Sequence, residues 1–198
     1  MPRPHPRAAA IPLALTALRA ALAPVLLLLA YGQPEPLAFA LCLVLAFLSD
    51  VFDGIIARRL GVATPGLRRL DSVADSLFYV AAIAAAWHLH AELLRPYALP
   101  LAALAALELL RYAVDYAKFR REASYHMWSS KAWGIALFVG FFALLVHGQG
   151  GWPVALAIGL GIGADLEGLL ITALLPAWQS DVPSCVHAWR IRQRAALT

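Results

Sequence analysis

Six long apolar runs alternate with short polar stretches along this chain. They cover roughly Leu13–Tyr31, Pro36–Ala57, Leu70–His88, Tyr97–Tyr116, Ala132–His147 and Trp152–Pro176. Each approaches the ~20 residues that a tilted helix needs to cross a bilayer. None shows the every-second-residue alternation of barrel strands, and helices satisfy the backbone in lipid from within. The expected fold is all-α: a polytopic membrane protein with six transmembrane helices in one bundle. Residues 1–198 are expected to form a single domain. The first run follows a basic N-terminus, yet Thr16, Arg19 and Pro24 interrupt it and no small-residue cleavage site follows. It is read as a span rather than a cleaved leader.

The polar connections differ in charge. "GQPEP", "HLHAELLRP" and "HGQGG" contain Arg95 alone of the 16 Lys and Arg residues. The rest lie in the N-terminus (Arg3, Arg7, Arg19), the second-to-third link (Arg58, Arg59, Arg68, Arg69), the fourth-to-fifth link (Arg111, Lys118, Arg120, Arg121, Lys131) and the C-terminus (Arg190, Arg192, Arg194). Basic loops stay on the inner side, so the protein is expected in the cytoplasmic membrane with both termini cytoplasmic. An even number of spans requires the same.

Composition agrees. Hydrophobic residues make up 62% of the chain, charged ones 14%, and the mean hydropathy is +0.71. The formal charge of +4 is concentrated beside apolar runs, which removes the case for a nucleic-acid partner; the partners implied are membrane lipids. Cys42 and Cys185 have no redox or metal spacing and are read as unpaired. Trp87, Trp133, Trp152 and Trp178 stand near run ends, as interfacial anchors do. Gly159, Gly161 and Gly163 are read as close helix packing, with a homodimer as the alternative.

The acidic residues change the picture. A charged Asp at the centre of a membrane helix costs roughly 2.5–3.5 kcal/mol. The second run nevertheless ends in "SDVFDGIIARR". At about 100° per residue, Asp50, Asp53, Gly54, Ala57, Arg58 and Gly61 share one helix face. The third run opens with "LRRLDSVADSLFY", where Asp71 and Asp75 lie about 40° apart around the axis. The short link "LGVATPG" makes the two helices antiparallel neighbours. Four carboxylates then meet near the cytoplasmic surface, and protons or cations must neutralise them. An all-oxygen site suits Mg²⁺ or Mn²⁺, and two such ions match the charge. Paired ions suit phosphoryl transfer. Gly54 and Ala57 leave room for a bulky ligand, and Arg58 offers planar donors for phosphate.

These residues resemble the CDP-alcohol phosphotransferase signature, D-x-x-D-G-x-x-A-R, eight residues, then G-x-x-x-D-x-x-x-D. Here it reads Asp50, Asp53, Gly54, Ala57, Arg58, Asp71 and Asp75. Leu67 replaces the second glycine, with Gly66 one step earlier. The opening "IPLALTALRAALAP" is also similar to the family's, with Ala14 where Asn is common. The resemblance implies a six-helix membrane enzyme of phospholipid synthesis. Such an enzyme takes a CDP-linked lipid, usually CDP-diacylglycerol, and a small alcohol, and releases CMP. It implies Asp50, Asp53, Asp71 and Asp75 as metal ligands and Asp75 also as the base for the acceptor hydroxyl. Gly54, Ala57 and Arg58 would line the CDP site. For a phosphorylated acceptor such as glycerol 3-phosphate, it points to Arg111 and Lys131.

Two alternatives are kept: transfer from CDP-choline or CDP-ethanolamine to diacylglycerol, and a cation transporter using the carboxylates. The apolar outer halves of the second and third runs speak against the transporter. Asp165 and Glu167, two apart, point in different directions on a helix. At least one should face the bundle interior, to tether a cation from another helix or to shape the acceptor pocket.

Overall fold

A computed structural model describes residues 10–62 and 64–195. Arg3 and Arg7 lie outside the described residues. The described residues are helical, with no strand among them. Helix α1 spans Ala10–Tyr31, α2 Pro36–Arg59, α3 Pro65–Leu94, α4 Ala98–Phe119, α5 Trp128–Leu145, α6 Trp152–Leu174 and α7 Cys185–Ala195. A 3₁₀ turn, Arg95–Tyr97, joins α3 to α4. Among the described residues, five helical stretches are long and apolar enough to cross a membrane, one of them the continuous 54-residue stretch Gly66–Phe119. The chain is an integral membrane protein by this measure. Exposed apolar side chains such as Leu28, Leu37, Val80 and Leu99 suit a lipid-facing surface.

The chain divides into two compact units. One takes in Met1–Ala91 and Phe141–Gln149, the other Glu92–Gly140 and Gly150–Thr198. In the first, α1 packs along α2. Most buried residues of α1 recur every three or four positions, Pro12, Thr16, Arg19, Ala23, Leu26 and Ala30, with Leu22 beside them. Those of α2 do the same, Phe39, Cys42, Ala46, Ser49, Asp53 and Ala57, with Leu43 beside them. This is the spacing of one helix face. Each buried stripe carries one charged residue, Arg19 on α1 and Asp53 on α2.

The turn after α2 is chemically specified. Gly61 adopts φ +66°, its N–H donates to the Arg58 carbonyl (3.2 Å), and the Val62 N–H donates to the Ala57 carbonyl (3.0 Å). This is the Schellman arrangement, and the left-handed residue is best a glycine. Gly61 is therefore the stop of α2 rather than a further member of the small-residue face expected from its spacing. Helix α3 then starts on Thr64, whose Oγ1 accepts the Leu67 N–H at 3.2 Å, with Pro65 at the first helical position. Thr as cap and Pro next are the preferred residues there.

In the second unit α4 packs on α6, and α6 on α7. Tyr125, Met127, Ile171, Leu175, Val182 and Ala188 form its apolar centre. The three glycines of α6 separate on inspection. A Cβ on Gly161 would meet Trp133 Nε1 at 2.7 Å and Leu104 Cδ1 at 2.9 Å, so α6 approaches its neighbours there. Gly159 and Gly163 have nothing within 4 Å of that position. Close packing holds for one glycine of the three. Both cysteines are free.

Gly161→Ala is expected to destabilise the protein by about 1–3 kcal/mol through overpacking. Gly159→Ala is expected to be neutral or mildly stabilising, since alanine is the better helix former. Thermal unfolding followed by tryptophan fluorescence in detergent checks both; equal melting temperatures for the two variants would contradict the packing.

Candidate active site

The carboxylates predicted from spacing converge. Oxygens of Asp50, Asp53 and Asp71 lie within 4.8 Å of one another. What the spacing did not reveal is the group among them. The guanidinium of Arg19 pairs with all four carboxylates. Its Nη1 lies 3.0 Å from Asp50 and donates a hydrogen bond to Asp75; its Nη2 lies 3.1 Å from Asp71 and donates to Asp53. Each terminal nitrogen thus joins one carboxylate of α2 to one of α3. Asp75 comes to the cluster through this cation.

Burial divides the site into a floor and a rim. Arg19 is 2% exposed and Asp53 4%. The side chains of Asp50, Asp71 and Asp75 keep 46%, 34% and 33% of their surface. A ligand can therefore reach the rim carboxylates. Arg19 Nε and Asp71 Oδ1 are buried without a hydrogen-bond partner. One positive charge against four negative ones leaves a formal excess of three. Clustered hard oxygen donors with that excess fit a divalent cation, and the guanidinium stands where positive charge belongs.

The other residues of the signature take their places on α2. A Cβ on Gly54 would lie 3.3 Å from Arg58 Nη1, so the missing side chain accommodates the guanidinium lying over it. Ala57 is buried and Arg58 exposed. Leu67, the departure, occupies the capped first turn of α3.

The second unit holds another buried ionic group. Arg111 on α4 pairs with Glu108 (2.7 Å) and with Asp165 on α6 (3.3 Å). Asp165 is fully buried, and it is the acidic residue that tethers a cation from another helix. Gly168, one turn on, lets Arg111 pass, since a Cβ there would meet its Cδ at 2.9 Å. Glu167 points elsewhere and accepts from Ser129 Oγ (2.6 Å) and from the Cys185 N–H at the start of α7 (3.1 Å). Lys131 has a different partner from Arg111: its Nζ lies 4.3 Å from the Trp128 ring centroid. Lys118 donates to the Thr172 and Ala173 carbonyls at the end of α6. Arg121 stacks on Trp178. Asp115 accepts from Thr172, whose hydroxyl also meets Tyr125 Oη at 2.8 Å. Burial pushes the Tyr125 phenol above its ordinary range, so the phenol keeps its proton and donates to Thr172.

A family profile described as CDP-alcohol phosphatidyltransferase matches residues 9–163. The chain belongs to that family. A curated relative from Pectobacterium atrosepticum, named CDP-diacylglycerol–glycerol-3-phosphate 3-phosphatidyltransferase, is 34% identical over 175 residues, which is 85% of this chain and 89% of the relative. No solved structure matches the chain. The enzyme class is thus that of the phosphatidyltransferases. The matched region takes in Arg19, the four carboxylates, Arg111 and Lys131, and ends just before Asp165.

Arg111→Met is expected to cost about 3–5 kcal/mol, because it leaves the buried Asp165 uncompensated. Adding Asp165→Asn should recover part of that loss. Melting temperatures of the single and double variants give the coupling; a double variant no more stable than Arg111→Met alone would count against the pair.

Proposed function

We propose that this protein transfers a phosphatidyl group from CDP-diacylglycerol to glycerol 3-phosphate, releasing CMP. The observation that carries the reading is the meeting of four signature carboxylates from α2 and α3 around one centre of positive charge. The activity named for the relative supports the choice of acceptor.

Asp50, Asp53, Asp71 and Asp75 would hold two divalent ions, Mg²⁺ or Mn²⁺, whose chemistry is to screen the donor's phosphate oxygens. Asp75 takes the proton of the acceptor hydroxyl as its oxygen bonds to the phosphatidyl phosphorus and the bond to CMP breaks. Its side chain is part-exposed at the rim, where a hydroxyl can reach it. Gly54 makes room for the exposed Arg58 guanidinium, which is available to the donor's diphosphate, and the buried Ala57 would back that wall of the nucleotide site. Arg111, held between two carboxylates, and Lys131, resting on Trp128, are assigned to the acceptor phosphate.

The membrane arrangement completes the proposal. The stretch Gly66–Phe119 has 54 residues, about 80 Å of helix against an apolar core of about 30 Å. It therefore crosses twice, turning near Arg95–Tyr97. That makes six crossings in one domain, 1–198, seated in the cytoplasmic membrane with both termini and the carboxylates on the cytoplasmic side. A homodimer would use the open faces of Gly159 and Gly163 on α6.

The test is CMP release by purified protein given CDP-diacylglycerol, Mg²⁺ or Mn²⁺, and a panel of glycerol 3-phosphate, serine and inositol phosphate. Turnover is expected with glycerol 3-phosphate and is expected to stop with EDTA. Asp75→Asn and Asp53→Asn should each lower it by about 10²-fold or more. An Asp75→Asn variant retaining most of its turnover would remove the base assignment. Turnover only with CDP-choline and diacylglycerol would replace the donor and acceptor proposed.

A further inference from the structure

We propose that Arg19 is the resident counter-cation of the carboxylate site, that a divalent ion must displace it to bind, and that it thereby sets the site's affinity for metal. This deepens the reading above and rests on it, since it takes the four carboxylates as the ion's ligands.

Two observations carry the inference. The guanidinium and a divalent ion compete for the same groups: Arg19 engages every one of the four carboxylates, two through each terminal nitrogen. Hard ions need carboxylate oxygens at about 2.0–2.2 Å, which leaves no space for a guanidinium wedged between the same side chains. Arg19 is also incompletely satisfied where it lies, because its buried Nε has no hydrogen-bond acceptor. The contact is one the side chain can give up by rotating its long stem, with α1 itself staying packed on α2. Arg58, the neighbouring base on α2, lies with its guanidinium over Gly54. Without Arg19, the four carboxylates of the metal-free protein would lose the one guanidinium seen to join all of them.

Metal-free protein can then insert and fold with its acidic groups paired, and it can bind and release ions without coming apart. The cost is weaker metal binding than four carboxylates would give alone, since each ion must overcome both the displacement and the repulsion of a positive charge.

The experiment is Mn²⁺ titration of nucleotide-free protein in nanodiscs, read by the loss of the free-ion EPR signal. Melting temperatures are taken in EDTA and in Mn²⁺. Arg19→Gln is expected to bind the first Mn²⁺ at least tenfold more tightly than wild type. In EDTA it should melt lower, with a larger rise on adding the ion. Arg19→Lys keeps the charge but cannot span four carboxylates, and should bind at least threefold more tightly. It carries the test if Arg19→Gln fails to fold. Asp53→Asn and Asp71→Asn should lose the ion. Unchanged or weaker Mn²⁺ binding in the Arg19 variants, with the Asp variants losing it, overturns the role of Arg19 and leaves the metal site standing. No Mn²⁺ bound by wild type or by either Arg19 variant overturns the metal site and this proposal together.

Discussion

Four carboxylates at the end of two apolar helices repel one another and are poorly solvated, so something positive must stand among them. At about 4 Å and an effective dielectric of about 20, each unit-charge pair is worth about 4 kcal/mol. Several such pairs exceed what the packing of a small helical unit can absorb. In this protein the positive group is Arg19, drawn from a third helix. The consequence is structural as well as electrostatic. Arg19 lies on the buried stripe of α1 and Asp53 on that of α2, so the apolar faces and the ionic centre fix the same register. The two ends of the α2–α3 turn are independently specified, by Gly61 as a left-handed stop and by Thr64 as a cap. The turn and the ion pairs therefore agree on where the carboxylates meet.

The same rule governs the second unit with different residues. Arg111 is held by Glu108 and Asp165, and Gly168 clears its path. A guanidinium buried in an apolar setting takes more than one acidic partner in both units. This follows from its geometry: five donors in a rigid plane cannot be satisfied by one carboxylate. It bears on acceptor binding as well. In the proposed acceptor site Arg111 would meet a phosphate with two carboxylates already beside it, so its value there would lie in being fixed in position rather than in adding net positive charge. Lys131, resting on Trp128, would be the stronger source of charge in that proposed site.

Much of this was legible in the chain itself, because it depends on local spacing. Helical period alone put Asp50 and Asp53 on one face and Asp71 and Asp75 on another, and the short link brought those faces together. Arg19 was not found that way. It stands with the basic residues that flank the spans, although it is the seventh residue of an apolar run. The rule that a charged residue inside a span must face a partner was applied to the acids and applies equally to this base. The glycines of α6 show the opposite limit. Gly159, Gly161 and Gly163 look alike in sequence, yet only Gly161 has neighbours in its way. Which face of a helix meets another is a tertiary fact that the composition of the face does not contain. Arg111 and Asp165 are 54 positions apart, and nothing local connects them.

The departure at Leu67 can be reasoned through from the backbone. A glycine is required by a fold when the chain turns through left-handed space or when another atom sits where Cβ would be. Gly61 meets the first condition. Neither condition holds at Gly66, which has negative φ and open space around it, and Leu67 is an ordinary residue of a first helical turn, its N–H taken by Thr64. Nothing in the folding of this turn calls for glycine at position 67. In the proposed reaction, a glycine there would leave room for the CDP-linked donor to approach the turn from outside. A leucine at that place would narrow the room offered to the nucleotide in that reaction, while the carboxylates still meet around Arg19.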